Sequence, residues 1–251
     1  MRDRVIIAVC IAALTALAWR YLLGVGREMS AMVEHDRMMA EMGMTMDMSW
    51  GARDVLFTFV MWVVMMVGMM APSAAPTFML FVALQRGRGP SAAPKWLVFG
   101  IGYFVVWSAF SAAAAVVQWW LHETAVMSPA MVVASAPIGG AILIGAGIYQ
   151  LTPLKAACLT HCRGPLAFLM SHWRDGIAGA ARMGLRHGLY CVGCCWALMG
   201  VLFAVGVMNL LWVAALSIIV LAEKLIPGGH VLARAGGVAM IVAGVLRVFV
   251  S

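Results

Sequence analysis

Long apolar runs separated by short polar segments set the pattern of this chain. Several runs reach the roughly 20 residues that a helix needs to cross a bilayer, and none alternates apolar and polar residues as a half-buried strand would. We therefore predict an all-α fold, a polytopic transmembrane helical bundle of about seven spans that makes residues 1–251 a single integral membrane domain. The predicted spans cover residues 5–23, 54–84, 96–121, 131–154, 187–208, 210–222 and 231–250.

The second run is longer than a bilayer requires and contains Pro72 and Pro76. A straight helix over residues 54–84 would measure about 46 Å, against a hydrocarbon core of about 30 Å, so the prolines are expected to kink or break it. The run also carries a stripe of methionines that should face the bundle interior, where core packing and copper binding by thioethers are the two interpretations. The stripe comprises Met61, Met65, Met66, Met69 and Met70.

Small residues in the fourth and seventh runs indicate helices that pack closely against their neighbours. They are Gly139, Gly140, Gly145 and Gly147 in the fourth run, with Gly236, Gly237 and Gly244 in the seventh. Gln150, near the end of the fourth run, is predicted to be a buried amide that needs a partner. Cys10 stands alone in the first run, where packing is its expected role.

The composition supports a membrane protein, since 64% of the residues are hydrophobic and 11% are charged. Most of the 17 Lys and Arg residues fall on one side when the spans alternate, which places the N-terminus in the cytoplasm. A cleaved signal peptide ending at Ala16-Leu17-Ala18 is the alternative to a first span. The net charge of +7 reflects this sidedness, and no basic patch with interleaved aromatic residues indicates nucleic acid.

Residues 24–53 are predicted to form a methionine-rich loop outside the membrane. An amphipathic helix at the membrane surface and a thioether site for Cu(I) explain its pattern equally well. Thioether is the safer soft ligand on an oxidising side, where thiols form disulfides. The residues that share one helical face are His35, Met38, Met39 and Met42, followed by alternating Met44, Met46 and Met48.

Five of the six cysteines lie between Tyr149 and Trp196. Helical spacing predicts one shared face, at the start of the fifth run, for His187, Cys191, Cys194 and Cys195. A basic cytoplasmic loop, predicted over residues 155–186, holds a second group of Cys158, His161 and Cys162. In the same loop a helix on the membrane surface is suggested by Phe168, Leu169 and Trp173.

Two such groups at the ends of two helices can converge on one soft metal ion, with Cu(I) as the first choice and zinc as the alternative. Inert packing of the cysteines and thiol redox chemistry are the competing explanations. The predicted ligands are Cys158, His161, Cys162, His187, Cys191, Cys194 and Cys195, with Met65, Met66, Met69 and Met70 from the second span.

Several segments between about residues 50 and 230 resemble a bacterial family of predicted metal-binding integral membrane proteins. Some relatives in that family are linked to copper delivery to tyrosinase-like oxidases, so the resemblance implies a copper-handling role. The segments that carry it are Met66 to Ser73, Tyr149-Gln-Leu-Thr-Pro-Leu-Lys155, Cys158 to Cys162, His172-Trp-Arg174, His187 to Trp196 and Gly206 to Leu210.

Our first hypothesis is therefore a non-enzymatic copper chaperone of the membrane, which gathers Cu(I) on methionines and holds it on Cys and His for a copper-dependent apo-enzyme. No phosphate-binding Gly-x-x-x-x-Gly-Lys-Ser/Thr motif occurs, so this chain supplies no nucleotide-driven step. The alternatives are a membrane thiol oxidoreductase that uses Cys191, Cys194 and Cys195, and a structural membrane subunit. The oxidoreductase would need its Cys-x-x-Cys pair at a helix start, where thiolates are stabilised.

Overall fold

The computed structural model describes residues 2–42, 50–85, 92–124, 131–133 and 135–249. In these ranges the chain is built from α-helices, which confirms the predicted all-α class. The helices are α1 (Arg2–Glu41), α2 (Ala52–Gln85), α3 (Ala92–Glu123), α4 (Ala136–Leu151), α5 (Pro153–Arg163), α6 (Pro165–His172), α7 (Gly176–Val205), α8 (Leu210–Leu225) and α9 (Gly229–Phe249).

Five of these helices, α1, α2, α3, α7 and α9, are long and apolar enough to cross a membrane. Helices α4 and α5 meet at a 65° bend and would count as a sixth span if taken together. The count therefore differs slightly from the predicted seven. The main reason is α8, whose 16 residues fall short of the roughly 20 that a span requires.

Helix α2 runs unbroken through Pro72 and Pro76, so the predicted break does not occur. Each proline removes one backbone donor, which leaves a single carbonyl four residues earlier without its helical partner. Packing on both sides compensates for this loss, because α2 lies between α1 and α3. The methionine stripe on α2 is fully buried in the core, as predicted.

The first helix is longer than predicted, since α1 continues through Gly24 to Glu41. At Gly26 the helix lies so close to α8 that a Cβ atom would come within 2.8 Å of the Leu210 side chain. The first part of the predicted outer loop is thus helical, with Met38 and Met42 exposed on its surface. Met44, Met46 and Met48 lie outside the described residues.

The segment over residues 155–186, predicted to be a basic loop, forms α5, α6 and the first turns of α7. Phe168 and Leu169 do not face the membrane surface but are buried inside the protein. The Phe168 ring packs against the ring of His187 on α7, with centroids 5.2 Å apart. Helix α6 is therefore held against the bundle by its aromatic face.

Glycines bring α4 and α9 into direct backbone contact, which confirms the prediction of close packing. A Cβ atom at Gly140 would lie 2.8 Å from the carbonyl oxygen of Gly244, and one at Gly147 would lie 2.6 Å from that of Gly237. Gly145, on the same helix, has nothing within 4 Å of such an atom. The contact surface thus follows one face of α4 only.

Gly147→Val is expected to destabilise the protein by about 1–3 kcal/mol, since the added methyl groups meet a fixed backbone carbonyl rather than a flexible side chain. Gly145→Val is the matched control, because it makes the same chemical change on the open face of the same helix. Thermal unfolding of both variants in detergent measures the difference. Equal losses in the two variants would contradict the proposed α4–α9 contact.

Candidate functional site

The cysteine face lies at the middle of α7 rather than at its start, because the helix begins at Gly176. Cys191, Cys194 and Cys195 do share one face, as their spacing predicts, and all three are buried. Gly184 and Gly188 let α3 approach this part of α7, since a Cβ atom at either position would press on the α3 backbone. The predicted location at the start of the helix is therefore wrong.

Cys162 joins the α7 cysteines from α5. Its Sγ lies 3.7 Å from Cys194 Sγ, and Cys194 Sγ lies 3.2 Å from Cys195 Sγ. The Cys191 backbone carbonyl also accepts a hydrogen bond from Cys194 Sγ at 3.2 Å. We call Cys162, Cys191, Cys194 and Cys195 the thiol cluster. All of its members are free thiols with at most 8% of their surface exposed.

The thiol cluster has suitable donors for a soft metal ion but is not arranged around one point. Two sulfurs bound tetrahedrally to one ion at about 2.3 Å would be roughly 3.8 Å apart, close to the 3.7 Å between Cys162 and Cys194. In the described part of the chain, no three His, Cys, Asp or Glu side chains form a ready-made metal site. Binding a metal would therefore require thiol side chains to rotate.

Three predicted ligands lie beside the thiol cluster without joining it. Cys158 is half-buried, and its Sγ packs over Gly193 on α7. The His161 ring stacks on Tyr190 with centroids 4.2 Å apart. His187 is buried between aromatic rings, and its Nδ1 has no hydrogen-bond partner among the described residues.

The predicted methionine ligands Met65, Met66, Met69 and Met70 are all buried, and Met70 reaches the site through its backbone. The Met70 carbonyl accepts hydrogen bonds from Ser73 Oγ at 2.9 Å and from the Tyr103 hydroxyl at 3.4 Å. The Tyr103 hydroxyl also lies 3.1 Å from Cys191 Sγ. One end of the methionine stripe therefore adjoins the thiol cluster.

Lys224, on the last turn of α8, is a site residue that the sequence analysis missed. Its Nζ donates hydrogen bonds to Cys191 Sγ and to Ser73 Oγ, each at 3.0 Å. The side chain is buried, with 5% of its surface exposed. A buried ammonium at this distance stabilises negative charge on the Cys191 sulfur.

The neighbouring Glu223 forms a second buried network. Its carboxylate pairs with Lys155 Nζ at 2.6 Å and accepts a hydrogen bond from Gln150 Nε2 at 2.9 Å. Arg163 donates to the Glu223 backbone carbonyl. The predicted partner of Gln150 is thus Glu223, while Lys155, assigned to a loop from sequence, is buried in an ion pair.

One signal in the sequence could have identified these residues. Glu223 and Lys224 follow a run of apolar residues directly, and ionisable residues at the end of such a run usually have a functional partner. Tyr103 and Ser73 carry no comparable signal, because their role depends on contacts with distant parts of the chain.

Comparison with known proteins supports a role in copper handling. No curated protein and no solved structure matches the chain. A family described as "PpoB2: Copper chaperone" matches residues 59–247, which include the methionine stripe, the thiol cluster and Lys224. This match confirms the resemblance to a copper-delivery family. The chain therefore belongs to the PpoB2 family of copper chaperones.

Proposed function

We propose that the protein is a membrane copper chaperone that holds Cu(I) on the thiol cluster and delivers it to a copper-dependent apo-enzyme. The observation that carries this proposal is the approach of Lys224 Nζ to Cys191 Sγ at 3.0 Å, inside a group of buried free thiols from α5 and α7. Thiolates are the ligands that Cu(I) prefers. Copper is here the cargo of the protein.

The charge of the site favours Cu(I) over zinc. Two thiolates on Cu(I) make a complex with one net negative charge, which the Lys224 ammonium balances. A complex of four thiolates with Zn(II) has a net charge of two negative units. Lys224 balances one of them, and the other would remain unpaired in an apolar interior, where unpaired charge is costly. A Cu(I) dithiolate beside Lys224 is therefore the better match.

We place the protein in the bacterial inner membrane with its N-terminus inside. The apolar helices are long enough to span a bilayer. Helices α3 and α7 run side by side in the same direction, since Phe99 packs at Gly184 and Tyr103 at Gly188. Their N-terminal halves, which hold Lys95, Arg182 and Arg186, therefore share one end, as the positive-inside rule requires of a cytoplasmic end.

The methionines are proposed to supply copper to this site from the other end. Met38 near the end of α1 and Met42 just after it are exposed, where a thioether can meet Cu(I) from solution. The buried stripe on α2 ends at Met70, whose carbonyl binds Tyr103 and Ser73 beside the thiols. Transfer from thioether to thiolate is favourable, because thiolate is the stronger ligand.

The two alternatives have less support. A thiol oxidoreductase requires a Cys-x-x-Cys pair at a helix start. Cys191 and Cys194 instead lie at the middle of α7 and are buried, so a substrate thiol or disulfide cannot reach them directly. A purely structural role does not explain Lys224, since burying an ammonium without a functional anion costs free energy.

The double variant Cys191→Ser/Cys194→Ser is expected to lose most of its bound copper, because serine keeps the size of cysteine but is a poor soft ligand. Metal analysis of the purified protein after anaerobic loading with Cu(I) measures this loss, and circular dichroism checks the helical content. Cys10→Ser is the control, since Cys10 is an exposed free thiol on α1. Full copper content in the double variant would place the site elsewhere.

Lys224→Met is expected to weaken Cu(I) binding by about tenfold or more, equal to about 1.4 kcal/mol or more, since the anionic complex loses its counter-charge. The apo-protein should be less stable than the wild type, because removing one partner of a buried charge pair leaves the Cys191 sulfur without its counter-charge. Competition with a Cu(I) chelator and thermal unfolding measure the two effects. Lys95→Met is the control, and unchanged affinity in Lys224→Met would exclude a role in charge balance.

The double variant Met65→Leu/Met69→Leu is expected to fold normally, because leucine conserves apolar volume in the core. Copper bound to the thiols of the purified, anaerobically loaded protein should stay unchanged, while copper uptake by cells at low external copper should fall. Met240→Leu on α9 is the control, as this residue packs at the edge of the core. Normal uptake by the double variant would support the packing interpretation of the stripe.

A further inference from the structure

His161 and His172 form a pair of histidines at the surface of the bundle, outside the thiol cluster. They come from α5 and α6, and their ring centroids lie 6.2 Å apart. Both side chains are half-buried, so a partner can approach them, whereas the thiols are enclosed. Two potential nitrogen ligands thus lie close together, and the function proposed above gives them no role.

Each ring is held in the same way by its own helix. His161 Nδ1 lies 2.9 Å from the carbonyl oxygen of Ala157, and His172 Nδ1 lies 2.9 Å from that of Phe168. His172 Nδ1 also lies 2.8 Å from Ser171 Oγ, a hydroxyl that donates to the Ala167 carbonyl and can accept from the ring. A carbonyl oxygen can only accept, so Nδ1 carries the proton and Nε2 has a free lone pair. This is the arrangement that orients histidines as metal ligands.

The spacing of the two rings suits a single ion between them. Two imidazoles on opposite sides of one ion, each with a metal–nitrogen bond of about 2.0 Å, have centroids about 6 Å apart. The observed distance is 6.2 Å. Cu(I) accepts two ligands in this manner, and imidazole is among its ligands.

We propose that His161 and His172 form a second Cu(I) site through their Nε2 atoms, where copper enters or leaves the protein on its way to or from the thiol cluster. This inference rests on the proposed function. Its route is short, because His161 directly precedes Cys162 on α5. Likewise, Tyr190, which stacks on His161 with centroids 4.2 Å apart, directly precedes Cys191 on α7. The same two helical segments thus present histidine and tyrosine outward and cysteine inward.

The transfer is a ligand exchange. Each copper–nitrogen bond that breaks returns its electron pair to Nε2, and each copper–sulfur bond takes its pair from sulfur. Cys191 supplies its sulfur as the thiolate beside Lys224, and the second thiol gives up its proton, which a released Nε2 accepts. Copper stays monovalent throughout, so no oxidant or reductant is needed. Thiolate binds Cu(I) more strongly than imidazole does, which makes the histidine pair the weaker and more exchangeable of the two sites.

The test compares wild type with His161→Phe/His172→Phe, which keeps the stacking on Tyr190 and Phe168 but removes both donors. The full-length proteins are loaded anaerobically with Cu(I), and the rate of copper removal by a water-soluble Cu(I) chelator is measured. After loading, the double variant should contain as much thiol-bound copper as the wild type. The chelator should remove this copper about an order of magnitude more slowly. His230→Phe is the matched control, since His230 also contacts α5, at Thr160.

A second measurement separates the two sites. X-ray absorption of Cu(I) added to Cys191→Ser/Cys194→Ser should show two nitrogen ligands, and adding His161→Phe/His172→Phe should abolish this signal. An unchanged removal rate in the histidine variant, with its thiol copper intact, would overturn the surface site alone. If X-ray absorption of the copper-loaded wild type showed no sulfur ligands, the thiol site would instead be overturned, and the histidine site would remain supported.

Discussion

Two adjacent charges buried at the end of α8 are the constraint on which the rest of the site depends. Glu223 binds Lys155 and Gln150, while Lys224 binds Cys191 and Ser73. A charge inside an apolar bundle is tolerated only when it is paired, so each contact fixes a neighbouring element. Through these contacts α8 ties together α2, α4, α5 and α7.

In the function that we propose, the same constraint favours a monovalent soft cation in the thiol cluster. Lys224 stabilises negative charge on Cys191, and the same ammonium would balance the charge of a dithiolate complex. Tyr103 and Ser73 complete the environment of Cys191 and Lys224 by hydrogen bonds that also reach the Met70 carbonyl. In this proposal the loaded cluster is neutral, which allows it to lie deep in the protein. An enclosed copper site of this kind would need an accessible partner site for exchange.

The sequence predicts the helical class, the shared face of the α7 cysteines and the glycine contacts, because each of these depends on local spacing. It does not predict that α7 begins fifteen residues before Cys191, because the polar residues before His187 are typical of a loop. Only the structure shows that Phe99 packs on Gly184 and Phe168 on His187. It also misses Tyr103 and Lys224, because their partner Cys191 lies far away in the chain. Charge alone does not distinguish the half-buried Lys95, in the first turn of α3, from the buried Lys155.

The bend at Thr152 explains how two distant cysteine groups become one cluster. Thr152 ends α4, and its hydroxyl caps α5 by accepting from the Lys155 amide, while Pro153 fits the first turn of the new helix. Had α4 continued straight, Cys162 would lie about 16 Å beyond Leu151 along its axis, away from Cys194. The 65° turn instead lays α5 against α7, with Cys162 facing inward and His161 outward. The Thr152-Pro153 dipeptide thereby divides the chain into α4 and α5, and α5 carries a soft-ligand residue on each of two faces, Cys162 inward and His161 outward.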